Sequence, residues 1–131
     1  MAKSQYVTPA KVARGLGSAK SGTRDHIRQR VTAIALAFLV PWFLFSVIHA
    51  SSAGYESASV WAGKPWNALL LILTAGAAFY HMRIGMQIVI EDYIARTSTR
   101  TALLILNSFA VIALFATVAL SVLKLWIGAG A

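Results

Sequence analysis

Residues 31–50, VTAIALAFLVPWFLFSVIHA, run for twenty positions without a Lys, Arg, Asp or Glu. A helix of about that length crosses the roughly 30 Å of hydrocarbon in a bilayer. Pro41 lies inside the run; membrane helices tolerate proline, and a kink is expected there. Two more apolar runs follow. Residues 67–92 open just after Pro65, a residue suited to a helix start, and residues 101–128 hold only Asn107 and Lys124 as strongly polar members. The pattern predicts an all-α integral membrane protein with three transmembrane helices.

Composition points the same way. Of 131 residues, 58% are hydrophobic and 12% charged, about half the charge of a soluble domain. A water-soluble fold of this length could not bury so much apolar surface. Cysteine is absent. Disulfides, thiolate zinc, iron–sulfur ligation, covalent haem attachment and a cysteine nucleophile are thereby excluded. The acidic residues are Asp25, Glu56, Glu91 and Asp92 alone, and there are three histidines. So little acid–base material argues against a self-sufficient hydrolase or transferase.

The net charge of +8 is unevenly distributed. Seven cations (Lys3, Lys11, Arg14, Lys20, Arg24, Arg28, Arg30) precede the first apolar run, Lys64 alone lies in the first connection, and Arg96 and Arg100 lie in the second. Basic residues before a span meet anionic headgroups at the cytoplasmic surface. This placement argues against nucleic-acid binding and puts the N-terminus in the cytoplasm and the C-terminus on the periplasmic side. Residues 1–22 read as a basic arm, broken by Gly15, Gly17, Ser18, Ser21 and Gly22, and resembling a transit peptide in its Arg, Ser and scarce acids. Residues 23–131 read as the membrane domain, entered by an amphipathic segment from about Gly22. The connection 51–66 reads as a loop whose Tyr55, Trp61 and Trp66 sit at headgroup level.

Polar groups inside a bilayer are costly and mark function first. The second run holds nearly all of them: His81, Arg83, Gln87, Glu91 and Asp92. On a helix His81 and Asp92 lie within about 20° of each other and about 16 Å apart along the axis, with Gly85 on the same stripe. An imidazole near mid-bilayer with a bare backbone patch one turn on suits a porphyrin. It equally suits a histidine hydrogen-bonded inside the bundle beside a glycine used for close packing. With the start of the first run level with Asp92, His49 falls about 11 Å from the depth of His81. One iron could not take both, so a second histidine would have to come from another chain, or the ligand is not a low-spin haem. His49 reads as interfacial and His26 as part of the arm. Glu91 and Asp92 oppose the helix dipole at a C-terminus, and Arg24, Arg28 and Arg30 on the antiparallel neighbour are expected to offset them. Arg83 faces nearly opposite to His81 and could snorkel, or meet an acidic lipid, a haem propionate or a partner subunit.

HMRIGMQIVIEDY, from His81 to Tyr93, resembles the H-x-x-x-G-x(6)-D-Y signature of the small hydrophobic membrane-anchor subunit of succinate dehydrogenase, respiratory complex II. SGTRDHIRQRVTAI, from Ser21 to Ile34, is similar to that family's segment ending in R-x-T-A-I. The likeness spans residues 15–128, and Arg83 lies outside the signature. The resemblance implies that His81 is an axial ligand to the iron of haem b, the other ligand coming from a larger cytochrome b anchor subunit. It implies that Tyr93 and Asp92 belong to the ubiquinone site, and Arg30 to the haem propionates or the quinone pocket. It implies partnership with iron–sulfur and flavoprotein subunits and no succinate active site in this chain, while the starting Met1 and the basic arm lean toward a bacterial inner membrane rather than a mitochondrial one. A fumarate reductase anchor shares the motifs. A non-redox membrane adaptor and a small transporter subunit using Arg83 and Gln87 are rivals of other classes.

Overall fold

The computed structural model describes residues 9–10 and 22–128. The rest of the basic arm, with Lys3, Lys11, Arg14 and Lys20, lies outside the described residues. Four helices follow one another: α1 (Gly22–Ser52), α2 (Tyr55–Gly63), α3 (Pro65–Tyr93) and α4 (Thr97–Gly128). No strand forms among the described residues.

Three of these, α1, α3 and α4, are long and apolar enough to cross a membrane. At about 1.5 Å per residue they are some 44–48 Å long, more than the roughly 30 Å of hydrocarbon in a bilayer. α1 starts well before the apolar run, because Arg24, Arg28, Gln29 and Arg30 are good helix formers and Asp25 suits the first turn. Pro41 sits inside α1 without interrupting it. α3 opens with Pro65 at its first turn, where a missing N–H costs nothing, after Lys64 in the extended backbone that precedes a proline. The chain reverses between α3 and α4 over residues 94–96.

α3 is the middle of a shallow three-helix row. α1 packs on one side of it and α4 on the other, and the backbones of α1 and α4 stay more than 8 Å apart, Cα to Cα. The buried apolar residues are few and mostly small: Ala50, Ala62, Ala68, Ile84, Ile90, Val111 and Val122. Phe38, Phe45 and Phe109 are largely exposed. The row therefore exposes apolar surface on both faces, to lipid or to other chains.

The connection 51–66 is not a loop. After Gly54, whose φ of +88° needs a glycine, residues 55–63 form α2, which touches all three long helices at one end of the row. So short a helix is marginal alone and owes its stability to packing. Ala62 and Gly63 are buried, and the Trp61 ring lies 6.2 Å from that of Trp42. Asn67 Nδ2 donates to the Trp61 carbonyl at 2.8 Å. Trp61 thus turns inward, whereas Tyr55 and Trp66 are exposed as headgroup-level aromatics would be.

Candidate functional site

The polar side chains of span two divide between the two flanks of α3. His81 and Arg83 are two residues apart, hence about 200° apart around the helix, and each meets a different neighbour. His81 Nδ1 lies 2.9 Å from Thr32 Oγ1 on α1. Arg83 Nε donates to Ser108 Oγ on α4 at 3.2 Å, and Asn107 Nδ2 donates to the Arg83 carbonyl at 3.0 Å. Arg83 is thus one half of an interhelical polar clamp, the role for which the sequence left several candidates.

The Thr32 contact fixes the register of α1 against α3. The start of the first apolar run is level with His81, not with Asp92 as its position at a span end suggested. His49, seventeen residues beyond Thr32, therefore lies about 26 Å from the depth of His81, a wider gap than the span ends suggested. His49 is exposed near the end of α1 beside α2. Among the described residues no three His, Asp or Glu side chains gather to hold a metal ion. An iron bound through His81 would take a single ligand from this chain.

The half-buried imidazole sits at the α1–α3 seam, and among the described residues only its Nδ1 finds a hydrogen-bond partner. One turn on, a Cβ added at Gly85 would meet nothing within 4 Å. Gly85 is not the glycine that lets helices approach. That place is taken by Gly76, where a Cβ would touch the Phe115 ring of α4 at 3.4 Å. Gly85 belongs to an open face of α3 with Met82, Met86, Val89 and Tyr93, all well exposed. On that same side, farther from Tyr93, an apolar cavity of about 410 Å³ lies between Val40 and Phe43 of α1, Leu71 and Ala75 of α3, and Val118 and Val122 of α4. The cavity ends at Phe79, short of His81 and Gly85, so the imidazole edge and the bare stretch of backbone open onto the same side of the middle helix without lining it. That arrangement fits a flat apolar macrocycle bound through one axial nitrogen.

The other predicted site residues are less gathered. Asp92 and Tyr93 lie at the end of α3, Tyr93 82% exposed and Asp92 also exposed. Arg30 is exposed on α1 about 3 Å along the axis from Thr32, and so at nearly the depth of the imidazole, on the side of α1 turned from α3. Its position separates it from Tyr93 by about 15 Å in depth. The expected pairing of the α1 arginines with Glu91 and Asp92 does not form. Arg28 instead pairs with Asp25 on its own helix at 3.5 Å, and Glu91 Oε1 accepts from Gln87 Nε2 at 2.9 Å. The register explains this for Arg28 and Arg30, which lie nearer to the level of His81 than to the end of α3, whereas Arg24 lies near the depth of Glu91 and is exposed. The dipole is met from α4: Arg100 Nε donates to the Ile94 carbonyl at 2.9 Å, placing a cation at the α3 C-terminus.

Thr32, Asn107 and Ser108 carry contacts that sequence reasoning did not assign. Thr32 stands in the quoted R-V-T-A-I segment, but a helical threonine ordinarily bonds its own backbone, so nothing in the sequence pointed across to His81. Asn107, one of two strongly polar residues in its span, was the available signal for the clamp.

Residues 4–122 match the family described as "Succinate dehydrogenase/Fumarate reductase transmembrane subunit". The chain is 38% identical over 111 residues to a succinate dehydrogenase hydrophobic membrane anchor subunit of Paracoccus denitrificans, covering 83% of this chain and 86% of the relative. It is 34% identical over 108 residues to the subunit of the same description from Rickettsia conorii, covering 81% and 86%. A succinate dehydrogenase membrane anchor subunit of Reclinomonas americana is 30% identical over 84 residues, covering 62% and 70%. No solved structure gives a significant match. The three-helix membrane fold and this likeness, running through all three spans, agree: the chain belongs to the family of succinate dehydrogenase and fumarate reductase transmembrane subunits.

Proposed function

We propose that this chain is the small membrane anchor of a succinate:quinone oxidoreductase, holding haem b together with a larger cytochrome b anchor subunit and forming part of the ubiquinone-reducing site. The observation that carries the reading is a half-buried imidazole with one nitrogen engaged, beside an open glycine face on the middle helix. In this reading His81 would hold the haem iron through Nε2, with a further ligand from the larger anchor subunit, since His49 lies too far away in depth to share it. The depth of Arg30 favours the propionate carboxylates over the quinone pocket, reached on the side of α1 turned from α3. Haem b, when bound, supplies reversible one-electron storage.

At the end of α3, Tyr93 donates its phenolic hydrogen bond to a quinone carbonyl oxygen. Asp92 beside it takes protons from the adjacent water layer and passes them toward the substrate. Both are open to other subunits, in keeping with a pocket completed by the iron–sulfur and larger anchor chains. The flavoprotein oxidises succinate elsewhere in the complex. The excess of Lys and Arg on the N-terminal side and in the α3–α4 connection supports a Tyr93 end facing the cytoplasm and a C-terminus facing the periplasm, in a bacterial inner membrane in this reading. A fumarate reductase anchor would use the same residues with the opposite electron flow.

The test is a reduced-minus-oxidised spectrum of the purified complex with His81→Ala. Loss of the b-type band with the complex still assembled is expected. A band of unchanged amplitude refutes the ligand, and a wild-type complex with no such band favours the non-redox adaptor.

A further inference from the structure

We infer that Thr32 is a positioning residue for the haem iron: its hydroxyl holds the His81 ring in one orientation and one tautomer, with Nε2 bare. This deepens the haem reading and rests on it. The Thr32 hydroxyl has one proton to donate and lone pairs to accept with. Its oxygen lies 3.0 Å from the Arg28 carbonyl oxygen and 3.0 Å from that of Gln29, both on its own helix. At 2.9 Å on the other side stands His81 Nδ1.

The contacts are all met when the single hydroxyl proton is shared between the two carbonyls and the ring N–H donates to Oγ1. If the hydroxyl donated to Nδ1, its oxygen would face two carbonyl oxygens at 3.0 Å with no proton between them. Donating to a carbonyl instead leaves a lone pair on Oγ1 for an N–H from the ring. Nδ1 therefore carries the ring proton, and Nε2 keeps its lone pair, as a metal ligand must. The helix geometry that lets a threonine bond its own backbone here dictates the tautomer of a residue forty-nine positions away.

Two consequences follow. The ring cannot turn about its χ2 axis without losing the bond, so the plane of the imidazole is set by α1. An acceptor at Nδ1–H also makes the ring a stronger electron donor, which favours oxidised over reduced iron. A threonine that merely joined α1 to α3 would have neither effect.

The experiment uses the intact complex with Thr32→Val, which keeps the shape and removes the hydroxyl, and Thr32→Ser, which keeps the hydroxyl. The readouts are the haem midpoint potential by potentiometry and the EPR g-values of the oxidised haem. Thr32→Val is expected to retain the b-type band and lose about tenfold in preference for oxidised iron, a rise of about 59 mV for a one-electron couple, with altered g-values. Thr32→Ser is expected to match the wild type. A Thr32→Val complex whose potential and g-values are unchanged overturns the proposal. Should Thr32→Val lose the band altogether, a wild-type band and potential in Thr32→Ser supports the hydroxyl's role, and loss in Thr32→Ser as well overturns it. Failure of the haem reading itself shows separately, as a band that survives His81→Ala.

Discussion

Gly85→Leu separates what this chain needs from what its ligand needs. Within the chain a Cβ at Gly85 meets no heavy atom within 4 Å, so a side chain there starts from open space. Replacing a glycine inside a helix by a good helix former is worth about 1 kcal/mol in favour of the helix. The thermal midpoint of the chain's helical CD signal in detergent should therefore hold or rise. A macrocycle lying on that face would collide with the leucine, and overpacking of a filled site costs about 1–3 kcal/mol. At 1.4 kcal/mol per tenfold, haem occupancy should fall by a factor of roughly 5 to 150. The assay is b-type absorbance per assembled complex, with assembly checked on native gels. An assembled Gly85→Leu complex with a full band refutes the placement of haem on this face. Loss of assembly itself would show that a partner helix, not the macrocycle, lies against Gly85.

The Arg83 clamp and the end of α3 make two further predictions. Ser108→Ala and Asn107→Leu should each loosen α3 from α4 by about 0.6 kcal/mol, up to about 1.7, with a double mutant less than additive because both contacts end on Arg83; unchanged detergent stability of the double mutant would sink the clamp. Tyr93→Phe should lower quinone reduction roughly tenfold, the worth of one hydrogen bond, while leaving the b-type band intact, and a rate equal to wild type would remove Tyr93 from the quinone site.

The fold was legible because hydrocarbon imposes its own length on a helix: residues 31–50 and 101–128 could be little else. The start of α3 was legible for a local reason, since Pro65 has one favoured place in a helix. α2 was not, because a nine-residue helix with little propensity to spare is decided by Trp42, Asn67 and the helix ends around it. The relative depth of α1 and α3 was misread for a related reason. The ends of apolar runs mark where lipid begins on each helix separately, whereas Thr32 and His81 set which turns face each other. Of the site, His81 stood out because an imidazole in an apolar run has few uses, and the opposed directions of His81 and Arg83 came from periodicity alone. Their partners could not be read, because threonine, serine and asparagine bond to backbone or across helices with equal ease and leave the same letters in the sequence.

The shallow row gives a reason why the chemistry-bearing residues collect on α3. A helix at the edge of the row has one neighbour and can turn about its axis by sliding along a single seam. The middle helix is gripped on both flanks, by Thr32 at His81 and by Asn107 and Ser108 at Arg83. Those contacts lie within about 3 Å of the same depth and about 200° apart, so together they oppose rotation in either sense. Rotation is the motion that matters here. On a helix about 10 Å across, a turn of 20° moves a side-chain atom at the rim by about 2 Å, enough to spoil both axial ligation and a hydrogen bond at Tyr93. Two contacts at one depth leave tilt free, and tilt is resisted at the far end, where Asn67 bonds the Trp61 carbonyl and α2 bears on all three long helices. The positions of Gly85 and Tyr93 on the open face are thus determined by four polar contacts that touch neither of them.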